Sequence, residues 1–193
     1  MRILCISDTH SQHQLLGALP MADVLVHCGD VSKRGTESEV IDFMQWFCDQ
    51  PHQYKIFIAG NHDLSLYGSN ISGLPENCFY LNTSGVEIEG LHFYGIPLFV
   101  NDVVSGEYSK SIQSIPPNTD VLITHQPPHG ILSSDYGDVE LLERVTLIGP
   151  KLHLYGHAHE CYGVKTSFGT HFVNAALLNN QYELTFKPLL IEL

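Results

Sequence analysis

No stretch of this chain approaches the roughly 20 consecutive apolar residues that a bilayer-crossing helix requires, so no membrane association is expected. The beginning, MRILCISDTH, runs straight into a strand-like segment. That leaves no room for the apolar core and cleavage site of a signal peptide, and a cytoplasmic location is expected. Paired cysteines are missing as well. Cys5, Cys28, Cys48, Cys78 and Cys161 are odd in number and contain no CxxC, which argues against a disulfide framework and against the common structural zinc sites. Positive charge is scarce: nine Lys plus Arg face 21 Asp plus Glu, a formal net charge of −12. Proteins that grip long nucleic acid draw most of their non-specific affinity from cationic neutralisation of phosphates, so such a partner is not expected. Linkers, repeats and low-complexity tracts are lacking too, and 193 residues suit a single domain spanning 1–193. Nothing in the sequence speaks to oligomeric state.

Histidine, by contrast, is plentiful. The chain holds 12, many beside Asp, Asn or Gly, which puts a metal site first among the expectations. Bound metal ions also resolve the charge problem, because they reverse the local field and let an acidic protein hold a phosphate.

The first third alternates apolar runs with helix-like segments. RILCISD, DVLVHCGD and YKIFIAG read as strands and LLGALP as a short helix. TESEVIDFMQWFCDQ reads as an amphipathic helix with Val40, Ile41, Met44, Phe47 and Cys48 at helical spacing and a capping box from Thr36 to Glu39. This βαβ order predicts that the first three strands are parallel in one sheet. Beyond residue 77, FYLN, VEIEG, LHFYGIP, DVLITH, KLHLYGH, ECYGVK, THFVNA, YELTFK and LLIEL read as short strands, with helices near 105–113 and 138–147. They predict a second, mixed or antiparallel sheet packed on the first. The expected fold class is α/β, a two-sheet β-sandwich core flanked by helices.

Polar residues able to bind metal recur where the apolar strands end. Asp8 and His10 follow RILCIS, Asp30 follows DVLVHCG, and Asn61, His62 and Asp63 follow YKIFIAG. His125 follows DVLIT, and His157 and His159 follow KLHLYG. Singly, most of these segments fit a turn, a helix cap or a satisfied boundary histidine. Together they deliver enough oxygen and imidazole donors to one sheet edge for two divalent ions. D-x-H and H-x-H spacing places both ligands of a pair on one face, and Gly29, Gly60 and Gly156 let the backbone turn beside the ions.

In this order the segments resemble the calcineurin-like metallophosphoesterases, whose pattern runs D-x-H, G-D, G-N-H-[DE], a lone His and G-H-x-H. The match comprises Asp8/His10, Gly29-Asp30, Gly60-Asn61-His62-Asp63, His125 and Gly156-His157-Ala158-His159 and covers most of the chain. The stretches GDVSKRGTESEVIDFMQWFCDQPHQYKIFIAGNHDLSL, THQPPHGIL, LYGHAHECYG and FVNAA are similar to the small metallophosphoesterase-domain-containing phosphodiesterases. Some animal members carry Gly at the first His of the last motif, which weakens one metal site; His157 stands there in this chain.

The resemblance implies one ion held by Asp8, His10, Asp30 and His159, and a second by Asp30, Asn61, His125 and His157, with Asp30 bridging. The ions are drawn from Mn, Fe, Zn, Co and Ni, with manganese the one to supply first. The implied reaction is in-line attack on phosphorus by a hydroxide shared between ions about 3.5–4 Å apart. His62 then protonates the leaving oxygen, and Asp63 orients His62 or raises its pKa. The expected activity is metal-dependent phosphoric ester hydrolysis of a small phosphodiester, such as a cyclic or modified nucleotide. The alternatives are a phosphomonoesterase or protein phosphatase, or a scaffold without activity. Lys33 in GDVSKRG and the closing Asp63 depart from the protein-phosphatase motifs, and retention of His62 and every ligand counts against a scaffold. Arg34 and His129 are candidate substrate contacts. His13, His27, His52, His92, His153, His171 and Asn174 are read as structural, and Phe43, Trp46 and Phe47 as core.

Overall fold

The first strand shows how the core is layered. In β1 (Arg2–Ile6), Ile3 and Cys5 join one apolar cluster and Leu4 and Ile6 another, and all four are fully buried. A strand buried on both faces lies between two layers, which is why RILCI is continuously apolar rather than alternating. The computed structural model describes residues 1–193.

In chain order, β1 is followed by β2 (Val24–His27), α1 (Glu37–Cys48), β3 (Tyr54–Phe57), β4 (Cys78–Tyr80), β5 (Ser84–Ile88) and β6 (Leu91–Ile96). Then come α2 (Val100–Ser105), α3 (Glu107–Gln113), β7 (Val121–Thr124), α4 (Val139–Ile148), β8 (Leu152–Tyr155), β9 (Gly163–Ser167), β10 (Thr170–Asn174) and β11 (Leu189–Glu192). They form two sheets, ordered β11-β1-β2-β3-β4 and β5-β6-β7-β8-β10-β9. Ile3, Val24, Val26 and Ile56 of the first sheet pack against Phe93, Val121, Ile123, Leu154 and Val173 of the second. Phe43 and Phe47 of α1 cover the outer face of the first sheet, while α3 and α4 cover the second through Ile112, Leu141 and Val145. The α/β sandwich expected from the sequence is therefore present, as are the parallel β1, β2 and β3. The capping box of α1 is also formed, with Thr36 Oγ1 accepting from the Glu39 backbone and Glu39 accepting from the Thr36 backbone.

Several boundaries differ from expectation. FYLN and LLIEL, assigned to the second sheet, belong to the first, as parallel β4 and antiparallel β11. The second sheet is mixed, with parallel β6, β7, β8 and β10 edged by antiparallel β5 and β9. YELTFK retains only an isolated bridge from Leu178 to Leu184. LLGALP is replaced by one 3-10 turn at His13–Leu16. The helix near 105–113 is two helices that meet at Gly106. Phe43 and Phe47 are fully buried, but Trp46 is only half-buried against the same cluster. No helix is long and apolar enough to cross a membrane.

The carboxyl ends of the two sheets are tied together. Leu98 N donates to the Ala59 carbonyl at 3.2 Å and Leu177 N to the Ser7 carbonyl at 3.1 Å. Loops leaving strands of both sheets therefore converge on one edge of the sandwich.

Candidate metal centre

Each strand end places its ligand by bonding to the next. After β1, Asp8 N donates to Gly29 O at 3.0 Å, His10 N to Asp30 O at 3.1 Å and Ser11 N to Val31 O at 2.9 Å. The chain crosses this edge in a costly conformation: Asp8 (φ 55°), His10 (φ 41°), Asp30 (φ 57°) and His157 (φ 68°) all lie in the left-handed region. Four non-glycine ligand candidates held there mark stored strain of the kind that accumulates at working sites. Two glycines are needed for close approach. A Cβ on Gly60 would overlap Asp30 Oδ1, and one on Gly156 would overlap Ser7 and the Asp8 carboxylate.

The seven candidate ligands come together. His159 Nε2 stands 3.2 Å from Asp8 Oδ1, His10 Nε2 3.5 Å and His125 Nε2 3.4 Å from Asp30 Oδ2, and His125 Nε2 3.2 Å from Asn61 Oδ1. Asp8, His10 and His159 offer ligand atoms all within 4.8 Å of one another, and so do Asp30, His125 and His157. Asp8 and Asp30 are nearly inaccessible to solvent. Two buried carboxylates that repel each other require positive charge close by.

The histidines are oriented for a cation. Nδ1 of His10, His125 and His159 lies 3.1, 2.8 and 3.1 Å from the carbonyls of Ser32, Cys28 and Asn179. A carbonyl only accepts, so each Nδ1 carries a hydrogen and each Nε2 is the nitrogen that faces the cluster. His10 Nε2 is buried and has no hydrogen-bond partner, an orphan that a metal ion would satisfy. Burial pushes His157 down to about 4 and lowers His10, which keeps both imidazoles neutral, as ligands must be. Burial opposes charge on His125 too, but Asp30 beside it carries that group up to about 9. The carboxylates thus draw positive charge to the position a metal would take. Donor set, tautomers and orphaned nitrogen all fit divalent ions.

His62 joins the cluster from the side. Its ring centroid lies 4.7 Å from that of His10, its backbone N donates to Asp30 Oδ1 at 2.8 Å, and its Nδ1 is 3.1 Å from the Lys33 carbonyl. Asp63 differs from expectation. Rather than pairing with the His62 ring, its buried carboxylate accepts from Val31 N at 3.2 Å, Ser32 N at 2.9 Å, Gly60 N at 2.8 Å and Ser32 Oγ at 2.7 Å. It fastens the Asp30 loop to the Asn61 loop, and the Lys33 carbonyl orients His62 instead. Burial and Asp30 push the Asp63 carboxyl up to about 6, against the pull of those donors. Asp63→Ala is expected to lower unfolding free energy by about 3 kcal/mol or more, at ~1–3 kcal/mol per stranded donor. Urea denaturation checks this, and a loss below about 1 kcal/mol would remove the fastening role.

Arg34 and His129 stand outside the cleft. Both side chains are exposed; Arg34 N bonds to Glu39 at the start of α1, and His129 N bonds to Asp138 O in the Pro-Pro loop. Asn174 is structural, as read, donating to Leu132 O and to Ala158 O between the two motif histidines. Of the buried histidines read as structural, His27 bonds Thr9 and His153 bonds Thr124, while His13 lies 3.0 Å from Asp42 and keeps both ring nitrogens without a hydrogen bond. A cleft of about 280 Å³ opens over the ligands, and Tyr136, Glu160, Asn180 and Tyr182 complete its lining. Sequence reading missed these four. The one local sign of them is Asn179-Asn180, a turn signal just before Tyr182.

The calcineurin-like phosphoesterase family description matches residues 1–161. Human metallophosphoesterase domain-containing protein 1 is 34% identical, and the match covers 100% of this chain and 71% of that protein. The Caenorhabditis elegans UPF0046 protein K07C11.7 is 33% identical over 98% of this chain and 74% of its own length. Among solved structures, TT1561 of Thermus thermophilus shares the fold, with a TM-score of 0.62 at 15% identity over 90% of this chain and 88% of that one. A metal-ready cluster at the carboxyl edge of this sandwich, together with these matches, places the chain in the calcineurin-like phosphoesterase family.

Proposed function

We propose that the chain is a divalent-metal phosphodiesterase acting on small phosphodiesters, cyclic or modified nucleotides among them. Asp8, His10, Asp30 and His159 would hold one ion, and Asp30, Asn61, His125 and His157 a second, with the metal chosen among Mn, Fe, Zn, Co and Ni largely by supply. Bound there, such ions supply positive charge against phosphate oxygens and lower the pKa of water to about 7.

The chain's own residues do the rest. His62 Nδ1 stays bonded to the Lys33 carbonyl, so only Nε2 is free to take and release a proton. Protonated, His62 delivers that proton to the leaving ester oxygen, while the bond from its backbone to Asp30 holds the loop in register with the ligands. The 280 Å³ cleft suits a small substrate.

One observation carries the diester reading: no Lys or Arg lines the cleft, and Glu160 does. A monoester bears close to two negative charges near neutral pH, a diester one. The ions and a protonated His62 attract either ester, but the second charge alone would meet Glu160 with no Lys or Arg beside it. For like charges ~6 Å apart the penalty runs from ~0.7 kcal/mol in water to ~3 kcal/mol at a dielectric of ~20. Glu160 is exposed, which favours the lower figure.

The test compares kcat/KM for an aryl phosphodiester and the matching monoester with manganese-loaded protein. The diester should be preferred, and Glu160→Gln should shift the ratio toward the monoester by about threefold. Turnover of the monoester alone would overturn the reading.

A further inference from the structure

The ligand cluster accounts for a phosphate; the cleft also says what that phosphate is attached to. Two tyrosines bound it on opposite flanks. The Tyr182 ring lies 4.9 Å from His10 and 5.3 Å from His159, on the side of the Asp8-His10-His159 group. The Tyr136 ring lies 5.1 Å from His157, on the side of the Asp30-His125-His157 group. Tyr182 meets His10 and His159 at 69° and 72°, Tyr136 meets His157 at 80°, and neither is stacked face to face on another ring. They remain 41% and 50% exposed, so apolar ring area beside the most polar site of the molecule stays open to solvent.

Tyr182 is held in place against a backbone cost. Its φ is 61°, a conformation that a bulky residue adopts rarely and only where its surroundings enforce it. The surrounding turn enforces it. Tyr182 N donates to Asn179 O at 2.9 Å, Asn179 Oδ1 accepts from Gln181 N at 2.9 Å and Glu183 N at 3.0 Å, and Gln12 Nε2 donates to Tyr182 O at 3.0 Å. The same Asn179 carbonyl orients His159. One turn therefore sets both a metal ligand and the ring beside it. The ring is no part of the apolar core, to which this segment contributes Leu177 and Leu184.

We propose that Tyr182, with Tyr136 as the opposite wall, determines specificity by receiving a planar aromatic group of the substrate while the phosphate sits at the ligands between them. Aromatic rings gain from offset or edge-on contact beyond the area they bury. This rests on the phosphodiester reading for the reacting half of the substrate.

Phenylphosphonate and methylphosphonate test it, because they share a headgroup and resist hydrolysis. With manganese-loaded protein, calorimetric titration should show phenylphosphonate bound about fivefold more tightly. Tyr182→Ala should remove most of that preference and leave methylphosphonate affinity and metal content unchanged; Tyr182→Phe should keep it. Three results would overturn the proposal: an unchanged preference in Tyr182→Ala, equal weakening of both phosphonates, or loss of the preference in Tyr182→Phe, which would put the hydroxyl rather than the ring in the role. Should the wild type hydrolyse monoesters and no diesters, the diester reading falls, and the phosphonate preference still decides for or against the tyrosine wall.

Discussion

His62→Ala is expected to lower turnover by about 10²–10⁴-fold on esters with poor leaving groups, the usual contribution of a positioned general acid. The loss should shrink with a 4-nitrophenyl leaving group, which departs without a proton. Metal content should not change. This last readout matters because His62, together with His10 and Asp30, also forms a group able to bind an ion. If the variant lost metal along with activity, His62 would be a ligand rather than an acid. If turnover were equal to wild type on alkyl esters, it would be neither. The Lys33 carbonyl fixes which nitrogen acts, so the fall should appear in kcat more than in KM.

Asp30→Asn should have the wider effect. Asp30 Oδ2 lies between His10 and His125, and its Oδ1 accepts from the His62 backbone, so one carboxylate serves both halves of the cluster and the loop that carries the acid. Outer partners of metal ligands cost 10–100-fold in affinity when changed, and a bridging ligand should exceed about 100-fold. The amide keeps the shape of the side chain but supplies one weak donor oxygen and no charge. Elemental analysis should therefore find the variant largely metal-free, with activity lost in parallel. Full metal retention would show that Asp30 does not bridge.

The candidate ligands stand out in the sequence because two local signals coincide at each of them. Apolar runs mark the strands, and a donor residue follows within a few positions at Asp8, Asp30, Asn61, His125 and His157. Such placement needs no knowledge of which strand lies beside which. The failures all required long-range information. LLIEL pairs with β1 across almost the whole chain, a partner that local alternation cannot reveal. Asp63 is adjacent to His62 in sequence, yet its carboxylate turns away to three backbone donors on two loops. Tyr182 alternates with Leu184 and Phe186 as a strand residue would, but the segment makes only the Leu178–Leu184 bridge, and the Asn179 turn places Tyr182 at the cleft. Arg34 was a candidate substrate contact, but its backbone bonds the Glu39 carboxylate at the start of α1 and its side chain stands in solvent.

On the proposed function, the carboxyl edge of the sandwich holds two divalent ions that hydrolysis requires. Elemental analysis of the protein loaded with manganese, with turnover of an aryl phosphodiester followed on the same samples during chelation, tests this most directly. Two ions per chain are expected at full activity, and none should be left once activity is abolished. Full activity with one ion, or with none, would contradict it.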